Sequence, residues 1–168
     1  MEAPLDSQAA FDAFYRDHYR RVLNYVARRL SDPELASEIC AETFVVAWRK
    51  FDPADPFPLV WLYSTARNLV GNAYRSRGKQ QQLMDVLRNR AVLDESTDDF
   101  RMLSDALDEL GEKDREALRL TYWEELTAAE VGVVLGCSEQ AAWARISRAK
   151  ASVRKVMERL VAGEGGAR

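Results

Sequence analysis

The 168-residue sequence has one histidine, His18, and two cysteines, Cys40 and Cys137. It has no apolar run near the ~20 residues that cross a bilayer. A single histidine leaves little for acid–base chemistry near neutral pH. The cysteines stand far apart, form no C-x-x-C pair and have no histidine beside them, which argues against a disulfide framework or a zinc site. No phosphate-cradling glycine loop, nucleophile–base pair or metal-ligand cluster stands out, so neither catalytic residues nor a cofactor or metal is expected. Glu124 and Glu125 are the most obvious carboxylate pair, but sequence neighbours on a helix diverge by about 100° and make a poor dyad. The Met-Glu-Ala-Pro-Leu-Asp start lacks the basic-then-apolar order of a secretory signal, which predicts a cytoplasmic protein without membrane insertion.

Glycine and proline are sparse, at 8 and 5 residues, while 47% of the chain is hydrophobic and 30% charged. That balance excludes a collagen-like or wholly disordered chain and permits a packed core. Charge is unevenly placed. Residues 105–139 carry 3 basic against 10 acidic side chains, whereas residues 140–159 carry 6 basic against 1 acidic. Residues 67–84 carry Arg67, Arg75, Arg77 and Lys79 with no acid. A net charge of −3 therefore conceals two basic segments suited to a partner that carries phosphates.

Apolar spacing of three and four residues predicts an amphipathic helix from about Phe11 to Leu30. Asp32-Pro33 reads as an N-cap followed by proline at the first helical position of a second helix, whose inner face is Ala36, Ile39, Cys40, Thr43, Phe44, Ala47 and Phe51. The three prolines between Asp52 and Pro58 predict a stiff, extended loop. A third helix is predicted from Leu59 to about Arg77, followed by a polar linker, partly helical around Leu83 to Leu93. Short helices then follow at 105–110, 112–123, 128–135 and 139–160. Thr127-Ala-Ala-Glu130 has capping-box spacing, and Leu135-Gly136-Cys137-Ser138 supplies a helix stop and a new N-cap, together a helix-turn-helix signature. The glycine-rich tail Gly163 to Arg168 is expected to fray. The expected fold is all-α: two small helical domains, residues 1–78 and 104–168, joined by a flexible linker at 79–103.

Three helix faces carry chemistry. On the last helix, Ala142, Ile146, Ala149, Val153 and Leu160 project to one side, and Gln140, Ala141, Ala144, Arg145 and Arg148 to the other. Small residues permit close approach, and glutamine and arginine reach phosphates or base edges in a major groove; a solvated basic face is the plainer alternative. Trp143 falls on the flank and is expected to pack at the edge of the core. The third helix turns Leu62, Ala66, Leu69 and Ala73 inward and spreads Trp61, Tyr63, Ser64, Arg67, Asn68, Asn72, Tyr74 and Arg75 over the remainder. Interleaved aromatic and cationic groups can stack unpaired bases and follow a phosphate backbone, or Trp61 and Tyr63 can pack beneath neighbouring helices. On the second helix, Glu34, Glu38, Glu42, Val45 and Arg49 line the face opposite the core. A charged rim around a small apolar centre suits a protein interface, although single exposed valines are common.

These segments, in this order, resemble a bacterial RNA polymerase sigma factor of the extracytoplasmic-function type, over about residues 11–78 and 104–158. Ala-Glu-Thr-Phe-Val-Val-Ala-Trp at 41–48 is similar to the family's region 2.2, and Trp-Leu-Tyr-Ser-Thr-Ala-Arg-Asn-Leu at 61–69 to its regions 2.3 and 2.4. Ala-Leu-Asp-Glu-Leu at 106–110, Leu-Thr-Ala-Ala-Glu-Val-Gly-Val-Val-Leu-Gly-Cys-Ser at 126–138 and Ala-Arg-Ile-Ser-Arg-Ala-Lys at 144–150 resemble region 4. The resemblance implies that Glu38, Glu42, Val45 and Arg49 face core RNA polymerase. It implies that Trp61, Arg67, Asn68, Asn72 and Arg75, with the 52–58 loop, open the −10 element and hold its non-template single strand. It implies that Gln140, Ala144, Arg145 and Arg148 read the −35 element as duplex promoter DNA, and that an anti-sigma factor restrains the protein. Ser37 and Ala41 stand where the family's region 2.2 has acid and glutamine, and Trp143 stands where a basic residue is frequent. A free-standing helix-turn-helix regulator would account for residues 104–160 but leaves the Trp61–Arg75 surface unused; a purely protein-binding helical adaptor predicts no polymerase-dependent transcription.

Overall fold

The Asp32 side chain accepts hydrogen bonds from the backbone N–H of Glu34 (3.0 Å) and Leu35 (3.3 Å), with Pro33 at the first helical position. The predicted start of the second helix is therefore built as the sequence indicates. The computed structural model describes the backbone of residues 3–93 and 98–165 and the side chains of residues 6–76 and 101–163. Seven helices and no strand are found among the described residues: α1 Ala3–Ala27, α2 Pro33–Lys50, α3 Leu59–Leu93, α4 Asp98–Asp108, α5 Glu112–Tyr122, α6 Ala128–Leu135 and α7 Glu139–Gly165. The chain divides into two compact units, Met1–Arg88 and Asn89–Arg168.

In the first unit α2 buries Leu35, Ala36, Ile39, Cys40, Thr43, Phe44 and Ala47 against α1, which contributes Phe14, Val22, Tyr25 and Val26. Each large apolar side chain so buried stabilises the unit by about 1.5–3 kcal/mol. The Thr43 hydroxyl is neutralised by donating to the Ile39 carbonyl at 2.8 Å. Leu62, Tyr63, Ala66 and Val70 bring α3 into this core. Tyr63, expected among the outward residues, is buried with its ring 5.0 Å from Tyr25. A phenol at that angle adds more buried area than the small residues beside it can, and packing has claimed it. Buried Arg29 lies over the other partner of that pair, with its guanidinium carbon 3.6 Å from the Tyr25 ring centroid and a 2.8 Å bond to the Tyr25 carbonyl.

The third helix does not stop near Arg77 but runs on to Leu93 through much of the expected linker. A single glycine costs a helix only about 1 kcal/mol against alanine, and Gly78 is followed by glutamines, leucines, methionine and arginines that all favour helix. Residues 94–97, the polar part of the expected linker, lie outside the described residues, as do tail residues 166–168. Likewise α4 begins at Asp98 rather than Asp105, and α7 continues beyond Leu160 to Gly165.

In the second unit α4, α5 and α6 pack on α7 around Ala106, Leu107, Leu120, Val131, Val134, Ala142, Ile146 and Ala149. Arg115 donates to the carbonyls of Leu107 and Leu110, each at 3.0 Å, and so ties α5 to the C-terminal end of α4 and the turn that follows it. The predicted capping box is complete: Thr127 Oγ1 accepts from the Glu130 N–H at 3.3 Å and Glu130 Oε1 from the Thr127 N–H at 3.0 Å. Gly136 ends α6 at φ 71°, ψ 36°, the left-handed conformation that glycine takes without strain. Ser138 Oγ then accepts from the Ala141 N–H at 3.1 Å and starts α7. Gly132 is needed for a different reason, since a Cβ there would lie 2.7 Å from the Cys137 carbonyl oxygen across the turn.

Candidate nucleic-acid interface

Trp61, Asn68, Asn72 and Arg75 project within about 60° of one another on α3, on the side opposite Leu62, Ala66 and Val70, as 100° per residue requires. Asn68, Asn72 and Arg75 are exposed, and Arg75 donates to the Asn72 side-chain oxygen. Arg67 lies to one flank and is half-buried. Trp61 is half-buried and is stacked on Phe57, with centroids 4.1 Å apart and planes 12° from parallel. Phe57 comes from the proline-rich loop, which is ordered by Asp52: its carboxylate accepts from the Ala54 N–H at 2.9 Å and its carbonyl from the Asp55 N–H at 3.1 Å. The loop thus extends the aromatic surface by a ring that sequence reasoning did not single out, since Phe57 precedes the first residue of α3 and no helical spacing relates it to Trp61. A flat aromatic pair beside amide and guanidinium groups is chemically suited to stacking and edge recognition of unpaired bases.

On α7, Gln140, Ala144 and Arg148 are exposed, as are Ala141 and Ser147. Arg145 is half-buried and is paired with Asp114 of α5 at 3.2 Å. Trp143 is 57% exposed rather than packed at the core edge: Ala142 and Ile146 already fill the α7 seam, and the indole is left on the surface. Two further α7 cations have partners within the unit. Lys150 lies 5.3 Å from the Tyr122 ring centroid, and Arg159 pairs with Glu109. Arg148 has no such partner among the described residues, which leaves its guanidinium available to an external acceptor.

The α2 face keeps Glu34, Glu38, Glu42, Val45 and Arg49 exposed. Trp48, 47% exposed and three residues beyond Val45 (48%), widens the apolar centre that Val45 alone would make. Its spacing from Val45 was the available signal. Phe11 braces the indole edge-on at 4.9 Å. A second apolar surface, also missed, is an open groove of about 780 Å³ in the second unit, lined by Leu103, Leu107, Leu118, Tyr122, Val153 and Met157. It joins residues from three separate helices, a combination that no local pattern displays.

The first unit's residues 14–80 match the family model for sigma-70 region 2, and residues 100–153 match that for sigma-70 region 4. Curated relatives include the sigma factor CarQ of Myxococcus xanthus, 29% identical over 166 residues and covering 92% of both chains. SigK of Mycobacterium tuberculosis, an extracytoplasmic-function sigma factor, is 27% identical over 166 residues, covering 90% of this chain and 87% of its own. The chain belongs to the extracytoplasmic-function sigma factors of the sigma-70 family. Among solved structures, CnrH in complex with the cytosolic domain of CnrY is 26% identical, with a TM-score of 0.61 over 92% of this chain and 95% of that one. The sigma factor RpoE of Bartonella quintana, solved with the anti-sigma factor NepR, shares the fold at 19% identity, with a TM-score of 0.63 over 88% of this chain and 96% of that one. This sigma factor therefore serves transcription initiation, giving RNA polymerase recognition of promoter DNA. Among its described residues no helix is long and apolar enough to cross a membrane.

Proposed function

We propose that this sigma factor divides its work among the three surfaces, within a region 2 domain at 1–78 and a region 4 domain at 104–168. Glu38, Glu42, Val45 and Arg49, joined by Trp48, dock core RNA polymerase. Trp61, Arg67, Asn68, Asn72 and Arg75, with the Phe57 loop, hold the opened non-template strand of the −10 element. Gln140, Ala144, Arg145 and Arg148 engage the −35 element as duplex. Stacking an opened base on Trp61 and Phe57 offsets part of the unstacking cost of a few kcal/mol. The polymerase supplies the phosphoryl-transfer chemistry, and the sigma factor adds no catalysis of its own. It works in the cytoplasm, where promoter and polymerase meet. CnrH is bound to the cytosolic domain of CnrY in its structure, and we extend that arrangement to a protein partner of anti-sigma type here.

The observation that carries this reading is the occurrence of both sigma-70 regions in order on two helical units, each with an exposed, chemically appropriate helix face. The test mixes the purified protein with core RNA polymerase and follows co-elution and run-off transcription from a genomic promoter library. A stable complex that selects a small promoter set with shared −10 and −35 elements is the expected outcome. A protein that ignores polymerase yet shifts duplex DNA alone would refute it in favour of a free-standing regulator.

A further inference from the structure

Arg145 and Asp114 are 31 residues apart in sequence, yet their side chains meet at 3.2 Å with 26% and 32% of their surfaces exposed. Asp114 lies in the first turn of α5, where the cap residue, Gly111, has no side chain to offer, so its carboxylate also sits favourably at the positive end of the helix. The pair ties the N-terminal half of α7 to α5, next to the surface proposed for the −35 element. Counting 100° per residue from the buried seam of Ala142, Ile146 and Ala149, Gln140 and Ala144 point nearly straight outward, whereas Arg145 is turned about 110° from that direction. A helix lying in a major groove presents its outward residues to base edges and its flanks to the sugar-phosphate rails. The guanidinium has five N–H donors in a planar fork, and the single bond to Asp114 leaves the others for an oxygen acceptor.

We propose that Asp114 is a positioning residue which holds the Arg145 guanidinium ready for a backbone phosphate of the −35 duplex, so that the pair contributes affinity and register but no base preference. This rests on the assignment of α7 to the −35 element and narrows it: base discrimination falls to Gln140, Arg148 and their outward neighbours. An arginine already fixed by a carboxylate has less side-chain freedom to lose when DNA arrives, and losses of that kind are a principal cost of binding. The carboxylate also cancels much of the arginine's long-range field. Electrostatic attraction is therefore left to exposed cations such as Arg148, Arg154 and Lys155, while the pair provides placement.

The experiment measures binding of holoenzyme, reconstituted from core RNA polymerase and the full chain, to a promoter library randomised across the −35 element, at several salt concentrations. Arg145→Ala is expected to lower affinity for every −35 sequence by the same factor, roughly tenfold for a charge-assisted bond. It should also flatten the dependence of log affinity on log salt by about 0.9. Asp114→Asn keeps the cation but removes the carboxylate that offsets its field, so it should lose about threefold, uniformly, with a salt slope that steepens rather than flattens. Arg145→Lys, which keeps the charge without the fork, should retain the slope at intermediate affinity. A merely structural pair would instead move the salt slope with none of these substitutions. A changed base preference in Arg145→Ala, or Asp114→Asn holoenzyme that binds as tightly as the parent or more tightly, would overturn the proposal. Failure of the underlying assignment has a separate signature: the unaltered holoenzyme shows no −35 preference and Arg148→Ala changes nothing, which removes the pair's role together with that of α7.

Discussion

Replacing Gly132 by alanine and, separately, Gly71 by alanine makes the same chemical change in two helices and should shift stability in opposite directions. At Gly71 an added Cβ meets nothing within 4 Å, so the substitution only removes a glycine from the interior of α3. It should stabilise the first unit by roughly 0.5–1 kcal/mol. At Gly132 the Cβ would fall 2.7 Å from the Cys137 carbonyl oxygen, with the Ser138 oxygen and carbonyl carbon at 3.2 and 3.3 Å. All three atoms are backbone, so relief requires the turn itself to move. Overpacking of this kind costs about 1–3 kcal/mol. The 2.9 Å bond from the Cys137 N–H to the Gly132 carbonyl is strained with it, at a cost of about 1 kcal/mol that roughly cancels alanine's better helix propensity. A net loss of about 1–3 kcal/mol remains, confined to the second unit. Hydrogen exchange resolved by peptide separates the units where a global melt would blend them. Amides of α6 and the first half of α7 should exchange faster in Gly132→Ala, and those of α3 should exchange slower in Gly71→Ala. Unchanged or stronger protection across 128–149 in Gly132→Ala would refute the argument that the turn demands glycine there.

Trp61→Ala should impair promoter opening more than initial promoter binding, read as weaker permanganate reactivity at −10 thymines with near-normal closed-complex affinity; a parental footprint would count against the base-stacking role. Trp48→Ala should weaken core-polymerase binding by about 2 kcal/mol, as a central interface aromatic does, and Glu34→Ala by far less. Equal effects in a titration against core enzyme would remove Trp48 from the interface. Burial pushes the Cys40 thiol up to about 11 from 9.0, so the folded protein holds that proton more tightly than the unfolded chain does. The corresponding stability is complete below pH 9 and is lost as pH rises toward 11. Native alkylation at pH 8 should label Cys137 and spare Cys40, and prompt labelling of both would contradict the burial.

Local signals were the legible ones. Asp32-Pro33, the Thr127–Glu130 box and Gly136 each act through atoms within a few residues, and each stands where the pattern indicated. Periodicity located the α2 seam because Ala36, Ile39, Cys40, Thr43, Phe44 and Ala47 all face one neighbour. It misplaced Tyr63 and Trp143 because an aromatic at the boundary between faces goes inward or outward according to what lies opposite. Tyr25 receives one; Ala142 and Ile146 leave no room for the other. The extent of α3 was missed because Gly78 and the polar glutamines look like punctuation, although only the glycine opposes helix, and weakly. The Asp114–Arg145 pair, the Phe57–Trp61 stack and the groove beside Tyr122 depend on chain segments meeting in space, for which a sequence without partners to compare offers no period.

The two nucleic-acid surfaces differ in a way that follows from the state of the DNA each is proposed to meet. Duplex DNA offers a regular, dense line of phosphates, and α7 answers with cations on a helix whose outward residues at 141 and 144 are small enough for close approach. Opened DNA exposes base faces that duplex hides, and the α3 stripe answers with a stacked aromatic pair, two amides and a single exposed arginine. Affinity contributed by α7 should therefore fall steeply with salt, whereas the contribution of Trp61 and Phe57 should persist, since stacking releases few counterions. Salt added before opening should then suppress complex formation strongly, while salt added after opening should dissociate complexes slowly. A Phe57→Ala, Trp61→Ala protein should lose that asymmetry. Equal salt sensitivity of the open complex in parent and double variant would show that the aromatic pair does not hold the strand, whatever its geometry.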